Sequence, residues 1–495
     1  MASLIWVGIV SVVFSLVLTR LLRDTFRWLG IVDRPEGKRK THRTPIPRGG
    51  GLAIALAYIA SILLVRFFWG SGLDPQLVLV WKISAATAVV LVVGLMDDLF
   101  GLRPWQKLTG QMVGAGIACW NGIIVGGGSG AHADVWWRVP LTIIWLLVCS
   151  NAFNLVDGMD GLAAGLGLVS TLAMFAGAQL HHSTQLAMAT IPLAGALLGF
   201  LRYNFHPATT FLGDSGSLSI GFILGCFSVV WIGQSSTFQG LAAPLIALSI
   251  PLLDVTLAIG RRLLRGQHVF AADRRHIHHR LLDRGMTPTK VVLILYTAGI
   301  AVSLMALLHL NTASNGPISV LILLLFCGTA VAAVNYLGYS EFALAVKMVL
   351  GGNLGRILAS QLDLQALQNA ISRTATPAAC IEVVVASIES LGCYVTRIRF
   401  AEHVSGSRSD PASSGWTMRV PLGDGDFVEL AREFGDNFSS SHVGPLVDLL
   451  RESLPVKAWS FRRTLNEVPQ VPQMLPDRVN ANERIAIGHA EGRSA

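Results

Sequence analysis

Two adjacent carboxylates, Asp97 and Asp98, close a long apolar run at 77–96, and Lys107 follows across a turn containing Gly101 and Pro104. Either acid would cost a few kcal/mol or more at the centre of a bilayer, so the pair belongs where a membrane helix emerges. Paired carboxylates beside an ammonium group can serve a divalent cation and a phosphate, and lysine suits the second task as a compact point charge. A snorkelling interfacial cluster without chemistry accounts for the same three residues.

Three further polar groups interrupt apolar sequence. In NAFNLVDGMDG, Asn151, Asn154, Asp157 and Asp160 recur every three residues, which places them near one helical face until the glycines break it. The twelve-residue ligand pattern of an EF-hand is absent. In FLGDSGSL, Asp214, Ser215 and Ser217 open an apolar run. Asp214 there is an ordinary N-cap, or a metal ligand with Phe211 beside it as a platform for a flat ring. In RRHIHHR, His276, His278 and His279 stand among Arg274, Arg275 and Arg280. These form an incomplete zinc set, a basic lip for anionic lipid, or a clamp donating to phosphate and sugar oxygens. The clamp fits best, because acids elsewhere call for a polyanionic, metal-bound guest. Asp254 lies inside another apolar run, a functional position by default, and the sequence names no partner for it.

The elements that must position these groups are membrane helices. Over half of the 495 residues are apolar and 14% are charged. Eleven runs are long enough to cross about 30 Å of hydrocarbon: 3–23, 49–69, 77–96, 109–126, 139–153, 161–180, 186–202, 216–234, 241–261, 291–310 and 317–337. Lys and Arg crowd the linkers after runs one, three, seven and nine, whereas the alternate linkers carry little but Arg138. Positive loops stay cytoplasmic, so the N-terminus is expected outside and the C-terminal tail inside. Trp69, Trp81, Trp136 and Trp137 fall where an outer aromatic belt would lie. All four polar groups then emerge on the cytoplasmic side, which favours one composite site. The net charge of +8 fits a surface facing anionic headgroups better than a nucleic-acid partner. Six scattered cysteines without CxxC spacing read as packing residues. The opening MASLIWVGIV lacks a basic n-region and an AxA pattern, so it reads as a retained first helix.

Beyond the eleventh run the character changes. The segment 339–375 reads as an amphipathic linker, interrupted at Gly351 and Gly352 and able to lie on the membrane. Thr376-Pro377 opens a helix, alternation at 394–400 and 416–420 marks strands, and Gly423–Asp426 supplies a turn. A small cytosolic α+β domain at 376–465 is expected, with a disordered tail at 466–495. The fold class is thus an all-α polytopic membrane protein with a small C-terminal α+β domain.

The arm THRTPIPRGG, the stretch DDLFGLRPWQK, NAFNLVDGMDGLAAG with FLGDSGSL, and the HIHH loop occur in one order and on one face. Together they resemble the polyprenyl-phosphate N-acetylhexosamine-1-phosphate transferases, the MraY/WecA family, over about residues 30–285. HIHH with Asp273 ahead of it is similar to the WecA branch; the phospho-MurNAc-pentapeptide branch carries three consecutive histidines there. A Pro-Phe pair often precedes that loop in the family, where this chain has Val269-Phe270. The resemblance implies transfer of a sugar-1-phosphate from a UDP-N-acetylhexosamine to a polyprenyl phosphate, with release of UMP. It implies magnesium, or manganese in its place, at Asn154 and Asp214, and Phe211 stacked on uracil. Asp157 and Asp160 fall on the nucleoside side, Asn151 among the substrate-binding residues, Lys107 on phosphate, and Asp97 and Asp98 on the lipid phosphate. The histidines His276, His278 and His279, with Arg275 and Arg48, would hold sugar and pyrophosphate. A homodimer is compatible with such a membrane protein. A different class, a transporter or flippase, would use the same acids as an ion path, but expects ionisable groups at mid-membrane on several spans and an internal repeat.

Overall fold

The computed structural model describes residues 2–33, 45–70, 74–127, 135–233, 242–264, 276–312, 315–339, 354–390, 394–406, 415–433 and 443–466. The chain divides into two compact units, Met1–Leu344 and Ala345–Ala495.

The first unit is a helical bundle: α1 (Ala2–Trp28), α2 (Gly50–Trp69), α3 (Asp74–Phe100), α4 (Pro104–Trp120), α5 (Val135–Val156), α6 (Leu162–Leu180), α7 (Thr184–Asn204), α8 (Gly213–Gly233), α9 (Ala242–Ala247), α10 (Ser249–Leu264), α11 (Ile277–Asp283), α12 (Pro288–Asn311) and α13 (Gly316–Tyr336). Among the described residues, nine helices are long and apolar enough to cross a membrane: α1 to α3, α5 to α8, α12 and α13. Large side chains such as Leu321, Leu324 and Leu325 of α13 are well over half exposed, a surface that only an apolar surround tolerates. The protein is therefore an all-helical, multi-pass membrane protein over this unit.

The two remaining runs of the sequence take other forms. The run at 109–126 is met by α4, of 17 residues, which starts early at Pro104, where a missing N–H costs nothing. The run at 241–261 is two helices, α9 and α10, separated at Leu248. Pro251 cannot donate to the carbonyl of Ala247, and Ser170 Oγ fills that acceptor at 3.1 Å.

Small residues let the bundle close. Lipid tails are as apolar as leucine, so helix association rests on close packing and interhelical hydrogen bonds. Ser11 and Ser15 of α1 donate to the carbonyls of Pro192 and Ala196 on α7 at 2.6 Å each. A methyl group on Gly51 of α2 would lie 2.2 Å from Gly216 N on α8, and one on Gly94 of α3 would lie 2.5 Å from Ser215 Cα. Two helices, α2 and α3, thus converge on the start of α8. Phe153, Phe200, Phe222, Phe227 and Trp231 fill the interior behind that point.

The second unit contains α14 (Leu354–Arg373), α15 (Pro377–Ser390), α16 (Val443–Asn466) and four antiparallel strands, β3 (Tyr394–Phe400), β4 (His403–Ser405), β5 (Gly415–Gly423) and β6 (Asp426–Glu433). Two short strands, β1 (Val32–Asp33) and β2 (Ile46–Pro47), belong to the first unit. The sheet order is β4-β3-β6-β5. Val395, Ile398, Val420, Val428 and Leu430 of the sheet bury against Val384, Ile388, Leu450 and Leu454 of the helices. Leu367 and Ile371 of α14, within the segment expected to be a linker, enter this core. The tail expected to be disordered lies outside the described residues beyond Asn466.

Candidate active site

The C-terminal end of α3 and the N-terminal ends of α4 and α8 meet at one cluster. Lys107, one turn into α4, places Nζ 2.8 Å from Asp214 Oδ2 and 3.1 Å from Asp97 Oδ2. Asp97 Oδ1 also accepts from Leu102 N at 2.6 Å, closing the turn that follows α3. The ammonium group therefore holds two carboxylates that stand 117 positions apart in sequence within a single ion-paired unit.

Asp98 has a different occupation from its neighbour. Its two oxygens accept from Asp214 N at 2.8 Å and Ser215 N at 3.0 Å, so it caps α8 from the end of α3. The first N–H groups of a helix have no partner inside the helix, and a carboxylate there also meets the positive end of the helix dipole. Gly213, at φ +74°, makes room: a Cβ would lie 2.5 Å from Asp98 Oδ2. With both oxygens committed to backbone, Asp98 acts by placing Asp214.

The polar residues expected on one face of α5 separate as well. Asn154 donates to Ser217 Oγ at 3.0 Å, which turns it to the start of α8 and leaves its amide oxygen with its lone pairs available to a ligand. Asn151 donates to Gln111 Oε1 on α4 at 2.7 Å, so its amide braces α4 against α5. Asp157, half-buried in the turn after α5, has no side-chain hydrogen bond or ion pair among the described residues. Burial and the charges of Asp214 and Asp98 push its carboxyl well above the ordinary range, while Arg48 pulls the other way. These four groups therefore share one space. Asp160 departs from it, accepting from Ala208 N at 3.1 Å and pairing with His206 Nδ1 at 2.9 Å, and so anchors the loop before α8.

That loop joins the arm ahead of α2. Phe211 N donates to Pro47 O at 2.9 Å, and Gly50 N and Gly51 N donate back to Phe211 O and Leu212 O. The backbone of Phe211 is thereby bridged to Arg48, whose guanidinium pairs with Asp33 at 3.1 Å.

The histidines approach from the other side. His276 Nδ1 lies 2.9 Å from Asp254 Oδ2, the partner that the sequence did not reveal. His278 stacks parallel on His276, with ring centroids 5.8 Å apart, and touches His279 at 4.3 Å. His278 Nε2 is buried without a hydrogen-bond partner among the described residues. A Cβ on Gly158 would lie 2.6 Å from that nitrogen, so the histidine segment sits on the turn carrying Asp157. Arg280 of α11 and Arg261 of α10 flank the ring of Tyr339, just beyond α13, at 4.2 and 4.9 Å. Arg275 lies outside the described residues.

Sequence reasoning missed Gln111, Ser217, His206 and the Asp254–His276 pair. Ser217 was visible as a polar residue three positions beyond Asp214, and Asp254 as an acid in an apolar run. Gln111 and His206 carry no local signal, since only tertiary contact gives them partners.

Could the site hold a metal? Among the described residues no group of three or more His, Cys, Asp or Glu side chains forms a cage. The oxygen donors Asn154, Asp157, Asp214 and Asp97 nevertheless suit a small hard cation, which takes one or two carboxylates and completes its shell with water and substrate phosphate. The donor set therefore fits magnesium.

An acid and lysine cluster at one end of a membrane bundle, faced by histidines, is the candidate site of a polytopic membrane protein. Residues 80–232 match the family described as glycosyl transferase family 4. A probable undecaprenyl-phosphate N-acetylglucosaminyl 1-phosphate transferase of Bacillus subtilis is 34% identical over 315 residues, 60% of this chain and 83% of the relative. A decaprenyl-phosphate N-acetylglucosaminephosphotransferase of Mycobacterium tuberculosis is 36% identical over 324 residues, 59% of this chain and 78% of the relative. A phospho-N-acetylmuramoyl-pentapeptide-transferase of Desulforudis audaxviator is 31% identical over 297 residues, 55% of this chain and 87% of the relative. The chain belongs to the polyprenyl-phosphate N-acetylhexosamine-1-phosphate transferase family.

Proposed function

We propose that the protein transfers N-acetylglucosamine-1-phosphate from its UDP-sugar to undecaprenyl or a similar polyprenyl phosphate, releasing UMP and starting a lipid-linked cell-envelope polysaccharide. The observation that carries this reading is the Lys107 ammonium bridging Asp97 and Asp214, with the unpaired Asp157 facing them. The relatives of that name, matched over most of their length, support the sugar and the acceptor.

The chemical difficulty is bringing one polyanion to attack another. A lipid phosphate with a second pKa near 6 is already largely dianionic at pH 7, so the attacking oxygen needs alignment more than deprotonation. Lys107 offsets its charge and can swing between Asp97 and the incoming phosphate. Asn154, Asp157 and Asp214 would hold magnesium through their oxygens, and the ion would supply charge neutralisation on the diphosphate. Phe211, fixed by the Pro47–Gly51 strand contact, offers a face for uracil. His276, His278 and His279 supply hydrogen bonds to sugar and pyrophosphate, and Arg48 adds positive charge near Asp157. Direct attack then needs no aspartyl intermediate, because electrostatic alignment accounts for the step.

The positive linkers support a site on the cytoplasmic face of a bacterial plasma membrane, with eleven crossings if α4 and the α9–α10 pair also span. The reading is tested by incubating purified protein with polyprenyl phosphate, Mg²⁺ and a panel of UDP-N-acetylhexosamines and measuring UMP. Release confined to UDP-GlcNAc is expected. Release only with the UDP-MurNAc-pentapeptide would instead assign the peptidoglycan reaction, and none with any donor would remove the transferase assignment.

A further inference from the structure

Asp254 is a carboxylate at 2% exposure in the middle of α10, and both of its oxygens are engaged. Oδ2 meets His276 Nδ1 at 2.9 Å and Oδ1 accepts from Ile277 N at 2.8 Å. Both contacts fall on the first two residues of the histidine segment, 22 and 23 positions further along the chain. An ionised carboxylate only accepts hydrogen bonds, so the contact to the ring requires a proton on His276 Nδ1. The tautomer and the ring plane of His276 are thereby set from α10, as a carboxylate behind an imidazole sets it elsewhere.

The consequence passes along the segment. His276 and His278 are parallel within 5°, and His278 Nε2 is a buried ring nitrogen with no partner among the described residues. It rests against Gly158, next to Asp157. Leaving a buried polar atom unpaired is costly, so a position of this kind calls for a ligand or water to complete it. Rotating His276 would carry the stacked His278 off the turn.

We infer that Asp254 is a positioning residue for the transfer reaction: it fixes His276 with its proton on Nδ1 and so seats the His276–His278 stack on the Asp157–Gly158 turn. The role rests on the transferase reading above, but its signature does not depend on turnover. In Asp254→Asn the amide can still accept from Ile277 N, but it must offer its NH₂ to the imidazole. His276 then becomes the acceptor at Nδ1, and its proton moves to Nε2.

The test uses the full-length protein in detergent with ¹⁵N-labelled histidine, the His276 signals being assigned by their loss in His276→Asn. Wild-type protein is expected to show a protonated Nδ1, and Asp254→Asn an unprotonated one. UMP release by Asp254→Asn is expected to fall about 10- to 100-fold, the scale found when a group behind a working histidine is removed. The thermal transition should stay close to wild type. In a His276→Ala background, Asp254→Asn is expected to add less than threefold, because residues acting through one another are not additive. An unprotonated His276 Nδ1 in the wild type overturns the inference, and this readout survives even if the variant fails to fold. Multiplicative losses in the double variant overturn it too. Absence of UMP release in the wild type would instead strike the transferase reading and leave the tautomer result standing.

Discussion

Lys107 Nζ lies 2.8 Å from Asp214 Oδ2 and 3.1 Å from Asp97 Oδ2, and so joins the ends of α3, α4 and α8 through one ammonium group. Removing that charge leaves two carboxylates facing each other and takes away the cation expected on the acceptor phosphate. Lys107→Met should lower kcat/KM for UMP release at least about 100-fold, close to 3 kcal/mol of transition-state stabilisation. Lys107→Arg should recover only part of it, because the planar fork cannot meet both acids as the compact ammonium does. Michaelis kinetics with both substrates varied would check this. Wild-type kcat/KM in Lys107→Met would contradict the role.

Asp97 and Asp98 are neighbours with separate tasks, and the two Asn variants should separate them. Asp98→Asn keeps one acceptor for the N-terminus of α8 and turns an NH₂ toward the other backbone N–H. It should lower the thermal transition in detergent by an amount corresponding to about 1–2 kcal/mol, the scale of a lost helix cap. Activity should fall with it, since Asp214 is displaced. Asp97→Asn should leave the transition nearly unchanged while still lowering turnover. Equal transitions in the two variants would remove the capping role of Asp98.

Gly158 is a space requirement rather than a flexible joint. In Gly158→Ala the new methyl group would meet His278 Nε2 at 2.6 Å and push the histidine segment off the Asp157 turn. The KM for the UDP-sugar should rise by tenfold or more with little change in folding. Gly328→Ala on α13, where a Cβ meets nothing within 4 Å, is the matched control and should be silent or slightly stabilising. An unaltered KM in Gly158→Ala would show that the segment does not depend on this contact.

Burial, aided by the charge of His279, pushes the His278 imidazole down to about 4. Its ordinary value is near 6.5. Between these values the unfolded chain holds a proton that the folded protein does not, so folding stability should fall as pH drops from about 6.5 to about 4. Above that window the group is neutral in both states and contributes no slope. His278→Asn should flatten this part of the curve, which thermal unfolding between pH 4 and 7.5 would reveal. An unchanged slope in the variant would show that His278 titrates normally in the folded protein.

Much of the bundle was legible in the residues because the bilayer enforces a simple rule: apolar runs of sufficient length, separated by charged linkers, become helices. The rule gave way at the α9–α10 break before Pro251, although Pro140 and Pro192 stay inside unbroken helices α5 and α7. The site was legible as a set of residue types but not as a set of partnerships. Asp97 and Asp98 look alike in sequence, yet one binds Lys107 and the other caps α8, a distinction made by the Gly94–Ser215 crossing of two helices far apart in the chain. Asp160 keeps the spacing of Asn154 and Asp157, but Gly158 and Gly161 end the helical phase and carry it to His206. Asp254 stood out as a buried acid, while its histidine partner lay on another element and could not be read locally.

The most direct measurement follows the phosphorus atoms. With UDP-GlcNAc labelled with ³²P in the phosphate attached to the sugar, purified protein, Mg²⁺ and polyprenyl phosphate should move the label into the lipid fraction. Unlabelled UMP should appear in equal amount, and Asp214→Ala should abolish both. Label retained in UDP, with sugar alone reaching the lipid, would contradict transfer of a sugar-1-phosphate by this site.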